Sequence, residues 1–166
     1  MVVDIVTKRE PGHKVIVKSY MGPWTGDDML REEFTELERW AKKNGIRTSK
    51  WFRIYLDKYA VGSPSDQRRW WASIAYRGRT LTLPPRMEAK FLSPELVASV
   101  TFNPEVVSDR LVFHGLECWL DWRTKQGEFE EAGPTREVFV GNPWVDPVAR
   151  TQVELQVPIR KLGARS

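Results

Sequence analysis

The 166-residue sequence predicts an α+β fold built from two tandem copies of one strand–helix–strand–strand (βαββ-type) unit. Two amphipathic helices repeat the same apolar register 82 residues apart, and each is preceded and followed by β-rich segments. Each unit then closes on a long strand-like segment. A single domain over 1–166 is expected, with repeat one at about 2–80 and repeat two at about 86–162.

The first helix follows Gly22-Pro23-Trp24. Thr25-Gly26-Asp27-Asp28 supplies capping oxygens and negative charge at a helix N-terminus. Leu30, Phe34, Leu37 and Ala41 then line one helical face, and Asn44-Gly45 stops it. The second helix has Pro104, a cap at Ser108-Asp109, an apolar face of Val112, Leu116 and Trp119, and a stop at Gly127. Leu30 maps to Val112, Phe34 to Leu116, Leu37 to Trp119 and Trp40 to Trp122, which points to internal duplication.

Short strands at Val2–Thr7 and Met87–Phe91 open the two units. Lys14–Tyr20 and Glu95–Phe102 lead into the helices; Trp51–Asp57 and Arg136–Gly141 follow them. Arg69–Arg77 and Arg150–Ile159 close the units, and Leu83-Pro84-Pro85 reads as the linker. Alternation assigns faces. Phe52, Ile54 and Leu56 should pack on the helices, as should Val153, Leu155 and Val157, because burial favours the purely apolar faces there. The opposite faces would then form one continuous surface of Trp51, Arg53, Tyr55, Trp71, Glu137, Phe139, Gln152, Glu154 and Gln156, expected to be a cleft and not a second core.

Composition is that of a globular protein, 41% hydrophobic and 29% charged, with eight tryptophans expected mainly in core or cleft. No apolar run approaches the roughly 20 residues needed to span a bilayer, and the N-terminus shows no signal peptide. A cytoplasmic protein is expected. Net charge is +4; residues 1–79 carry 16 basic against 10 acidic side chains, and residues 80–166 carry 10 against 12. The basic half could attract an anionic partner or simply be solvated. Cys118 is the only cysteine, read as a small buried apolar residue without a basic partner. With only His13 and His114, neither a histidine-rich metal site nor a Ser-His-Asp triad has support, and no cofactor is expected.

The segments VKSYMGPW (17–24), WFRIYLD (51–57), REVFVGNPW (136–144) and VELQVPI (153–159) together resemble the GyrI-like, effector-binding domain family, over roughly residues 2–162. The resemblance implies two βαββ-type repeats in a concave antiparallel sheet with the helices on its outer face. It also implies a cleft lined by aromatic side chains and a central glutamate that binds bulky, often cationic, amphipathic molecules. Such domains occur fused to AraC-type or MerR-type DNA-binding domains, or alone, as in the gyrase-inhibitory protein. Some members resemble cyclopropanoid cyclase-hydrolases. No helix-turn-helix is read in this chain, so a stand-alone arrangement is expected. Phe102-Asn103-Pro104 departs from the family's Gly-Pro-aromatic turn.

Glu137 matches the family glutamate. On the cleft face it would supply counter-charge to a cation; the structural alternative is an ion pair with Arg53, which a ligand could displace. Trp51 and Trp71 are expected as walls, with Arg53, Tyr55, Phe139 and Glu154 as further ligand-binding residues. Trp40, Trp119 and Trp122 are expected as core or rim. Were the cleft instead a metal-free hydrolase opening strained rings, Glu137 or Glu154 would activate water and Tyr55 would donate a proton. A third expectation is contact with gyrase or nucleic acid through the basic half.

Overall fold

The computed structural model describes residues 4–22, 27–57, 68–79 and 82–163. The expected Gly22-Pro23-Trp24 turn, the cap at Thr25-Gly26, the start of the first strand before Asp4 and the loop 58–67 lie wholly or partly outside them. The first unit comprises β1 (Val6–Glu10), β2 (His13–Met21), α1 (Asp27–Lys43), β3 (Arg47–Tyr55) and β4 (Arg69–Arg77). The second comprises β5 (Met87–Leu92), β6 (Glu95–Phe102), α2 (Asp109–Lys125), β7 (Phe129–Glu131), β8 (Arg136–Phe139), α3 (Pro147–Thr151) and β9 (Val153–Lys161). Among the described residues no helix is long and apolar enough to cross a membrane.

Both long helices end as their sequences predict. Gly45 and Gly127 take positive φ (+65° and +74°), and the next amides turn back onto the last turn, Ile46 N–H to Ala41 O at 2.9 Å and Glu128 N–H to Arg123 O at 3.0 Å. β7 and α3 were not anticipated. Arg150 and Thr151, expected as strand, are helical: Pro147 opens α3 and the Asp146 side chain accepts from Val148 N–H at 2.9 Å.

The sheet order is β1-β6-β9-β8-β3-β4-β2-β5, antiparallel throughout, with β7 added beside β9. It reads the same from both ends when the two copies are exchanged. The pseudo-twofold axis passes between β3 and β8, where Arg53 pairs with Glu137 and Trp51 with Phe139. Symmetry then brings Tyr55 opposite Thr135, and Tyr55 N–H indeed donates to Thr135 O at 2.9 Å.

Each opening strand lies against the other copy. β1 and β2 stand six strand spacings apart, roughly 29 Å in a flat sheet. Yet only Pro11-Gly12 joins them, and the chain from Glu10 to His13 can span no more than about 11 Å. β5 and β6 are joined in the same way by Ser93-Pro94. The sheet must therefore curl until its ends meet on the side away from the helices. The two connections touch: a Cβ on Gly12 would lie 3.2 Å from both Leu92 O and Pro94 Cδ.

This closure corrects the expected faces. The side away from the helices is a second core of Val15, Val17, Phe52, Ile54, Ala75 and Val138, all buried. The helix side carries Phe34, Leu37, Val112 and Leu116 against Ile74, Val100, Leu155 and, contrary to expectation, Trp51 and Phe139. Val153, Leu155 and Val157 do face the helices. In β3, however, Phe52 and Ile54 point away from them, so Arg53 pairs with Ala72 and not with the Trp71 or Ser73 side. The surface expected to be continuous is thus divided between two sides of the sheet.

Candidate functional site

Trp51, Arg53, Tyr55, Glu137 and Phe139 come together on the helix side, around the pseudo-twofold axis. Arg53 and Glu137 are cross-strand partners and both are buried. Arg53 Nη1 lies 3.5 Å from Glu137 Oε1, and the Tyr55 hydroxyl donates to that same oxygen. Phe113 of α2 packs edge-on against the Tyr55 ring at 5.9 Å.

The opposite wall comes from α1. Glu33 is fully buried; its Oε1 accepts from the Trp70 indole N–H at 2.6 Å, and its Oε2 lies 3.8 Å from Arg53 Nε. Neither Glu33 Oε2 nor Arg53 Nε has a hydrogen-bond partner among the described residues. The guanidinium sits over the rings of Phe34 and Phe139, at 5.6 and 5.9 Å from their centroids. Both ion-pair distances exceed the 2.7–2.9 Å or so of a close charge-assisted bond. Arg53 is a flat, delocalised cation in an aromatic cage, flanked by two carboxylates.

Electrostatics follow from that burial. Loss of solvent pushes the Glu33 carboxyl up to about 7, more than Arg53 and the Trp70 hydrogen bond pull it down, and the Glu137 charge adds to the rise. Burial, reinforced by Glu137, holds the Tyr55 phenol well above its usual range, so it stays protonated and can donate. Burial alone would lower the Arg53 guanidinium, but Tyr55, Glu137 and Glu33 raise it, and it stays charged.

Among solved structures, the C-terminal domain of EcmrR superposes on 98% of this chain and 100% of its own, with TM-score 0.75 and 14% identity. The chain has the GyrI-like fold. The same likeness appears in the longer EcmrR chain bound to DNA, of which this chain spans only 58% (TM-score 0.74, 14% identity, 96% of this chain). A hydrolase encoded by lin2189 from Listeria innocua matches 94% of this chain and 91% of its own at TM-score 0.61 and 8% identity. SAV2435 bound to tetraphenylphosphonium matches 95% and 94% at TM-score 0.55 and 7% identity. No family model and no curated protein matches the sequence.

Three residues expected in the cleft of this GyrI-like domain are elsewhere. Trp71 packs against the second core, under the Lys90 ammonium at 4.9 Å. Glu154 also faces that side, bound by Ser99 Oγ (2.6 Å), Gln156 Nε2 (2.6 Å) and Lys8 Nζ (2.7 Å), and these bonds lower its carboxyl despite partial burial. Gln156, expected to line the cleft, is fully buried there too. Trp40 and Trp119 pack at the core margin while Trp122 is exposed. Cys118 is exposed, not buried, and has a basic neighbour after all, His114 Nε2 at 3.5 Å, one helical turn away.

Glu33 escaped the sequence reading, as did its hydrogen bond from the Trp70 indole. One signal was available: Glu33 lies three residues after Leu30 and four before Leu37, a charge on the apolar stripe of α1. Its counterpart in the second copy is Gly115, so the carboxylate belongs to one half only. A groove of about 460 Å³ opens elsewhere, beside Arg9, Glu95, Leu96 and Arg160, away from this cluster.

Proposed function

We propose that this GyrI-like domain captures a bulky, amphipathic cation on the helix side of its sheet, with Glu137 as counter-charge and the surrounding rings as stacking surfaces. The observation that carries this reading is the charge balance of the buried cluster: two carboxylates, Glu33 and Glu137, share one guanidinium inside an aromatic surround. A cation over such rings gains about 0.5–2 kcal/mol from the ring quadrupoles, and the carboxylate attraction adds to it where water is excluded. Arg53 already occupies this chemistry, so a ligand cation would displace or stack beside it. The tetraphenylphosphonium complex of SAV2435, which shares the fold, supports the ligand class. Quenching of tryptophan fluorescence by tetraphenylphosphonium is the direct assay, since Trp51 and Trp70 border the cluster. Glu137→Gln should weaken binding by about tenfold; unchanged affinity in that variant would remove the counter-charge role.

One observation favours a second reading. The neutral Tyr55 phenol is hydrogen-bonded to Glu137, a donor and a base in contact. With a strained ring in the cage, Glu137 could take a proton from water as its oxygen bonds to a ring carbon. The ring C–C bond would break, and Tyr55 would protonate the departing carbon, to be reprotonated from Glu137. Mass spectrometry of a cyclopropane-bearing alkylator incubated with the protein should then show a gain of one water, lost in Glu137→Gln and Tyr55→Phe. No such gain, together with quenching by hydrophobic cations, leaves capture alone.

A further inference from the structure

The cluster holds an acid that simple counter-charge does not require. Glu33 is fully buried on α1, and its Oε2 has no hydrogen-bond donor among the described residues. Arg53 cannot neutralise it fully, because the same guanidinium also faces Glu137. Two full negative charges against one positive charge in a water-poor cage are unfavourable until a second positive charge arrives. That charge can be a proton or a ligand.

We propose that Glu33 is a second ligand-binding carboxylate, which carries a proton in the empty protein and releases it when a singly charged, delocalised cation enters. This deepens the capture reading above and rests on it. The groups facing Glu33 fit the exchange. From β3 and β8 come Arg53 and Glu137, which are already paired. From β4 comes the Trp70 indole, a donor that cannot titrate. From β2 come Lys18, committed to a salt bridge with Glu36, and Tyr20, whose phenol burial keeps protonated. Glu32 and Glu36 on α1 itself are solvent-exposed. Glu33 is therefore the member of this set free to change charge near neutrality, in keeping with the rise of its carboxyl to about 7. The exchange balances: one proton leaves to solvent for each cation bound, and the buried charge stays near zero.

Calorimetric titration of the full chain with tetraphenylphosphonium chloride, at pH 6 in phosphate and in a buffer of high ionisation enthalpy such as histidine, reads the released proton directly. Close to one proton per ligand is expected at pH 6, falling towards none at pH 8.5. Affinity should rise by up to about tenfold per pH unit below pH 7 and level off above it. Glu33→Gln should bind without releasing a proton and without the pH dependence. Binding with no proton released from the unaltered protein at pH 6 overturns the exchange while leaving capture intact. Release that persists in Glu33→Gln assigns the proton to another group and overturns the role of Glu33. No binding of this cation at any pH overturns capture, and the exchange with it.

Discussion

The two sides of the curled sheet each bury a glutamate, and the two are treated in opposite ways. Glu10, on the side away from the helices, is 2% exposed and meets Lys50 Nζ at 2.8 Å, His13 Nε2 at 3.1 Å and Gln156 Nε2 at 3.2 Å. Gln156 also bonds Glu154 and accepts from Arg136 Nε at 2.9 Å, so its amide is used at both ends. Burial alone would raise the Glu10 carboxyl, but the bonds from Lys50, His13 and Gln156 prevail and lower it. Glu33, on the helix side, has one hydrogen bond and one distant guanidinium, and its carboxyl rises to about 7. Burial is common to both; donor supply differs. A carboxylate given all its donors fastens the fold, whereas one left short of them keeps a capacity for charge that a ligand can use.

The largest effect should come from breaking the satisfied side. Glu10→Ala strands Lys50, His13 and Gln156 where the two connections cross, and should cost about 3 kcal/mol in urea unfolding at pH 7. Because the Glu10 carboxyl is lowered in the fold, its contribution is full above its ordinary value of 4.5 and is lost as pH falls below that, through the lowered value it has in the fold. The variant should therefore lose least at acid pH. An unfolding midpoint within error of the parent at pH 7 would show that the network holds nothing together.

Glu33 should behave in the opposite sense, with a smaller magnitude. Its carboxyl stands at about 7 in the fold against 4.5 unfolded, so its contribution is full below 4.5 and is lost as pH rises to 7. Glu33→Gln keeps an oxygen for the Trp70 indole and removes that loss. Relative to the parent it should gain about 2 kcal/mol between pH 5 and pH 8. A pH-independent difference between the two proteins would refute the raised carboxyl, whatever the ligand does.

What could be read in the sequence was local or symmetric. Gly45 and Gly127 end their helices as the pattern requires, and β4 and β6 span the expected Arg69–Arg77 and Glu95–Phe102. Glu137 opposite Arg53 followed from the duplication, because residues equivalent under a twofold face each other only at its axis. Alternation failed in β3 because both of its faces are buried: Trp51 on one and Phe52 on the other are each at most 4% exposed. A face can be assigned from alternation only where one side meets water. The second core depends on which strands meet across the whole chain. Its local trace was two connections of two residues each, Pro11-Gly12 and Ser93-Pro94, too short to span a flat sheet of this order.

Those connections offer the finest test of the comparison, because the crossing at Gly12 closes the side that Glu10 fastens. A methyl at Gly12 would meet Phe91 Cζ at 2.8 Å, which can swing aside because Phe91 is exposed. It would also meet Leu92 O, at the end of β5, and Pro94 Cδ, in the opposing connection, each at 3.2 Å, where backbone and ring have little room to give. Two effects compete in Gly12→Ala. Restricting the unfolded chain favours the variant by about 0.4–1 kcal/mol, while crowding in a packed site costs typically 1–3 kcal/mol. The contacts to the opposing connection should let crowding win, for a net loss of about 1 kcal/mol in urea unfolding. Cation binding on the helix side should be unchanged, since the crossing lies on the other side of the sheet. A more stable Gly12→Ala protein would mean that the connections slide past each other freely, and that the polar network around Glu10 closes the second core without help from the crossing.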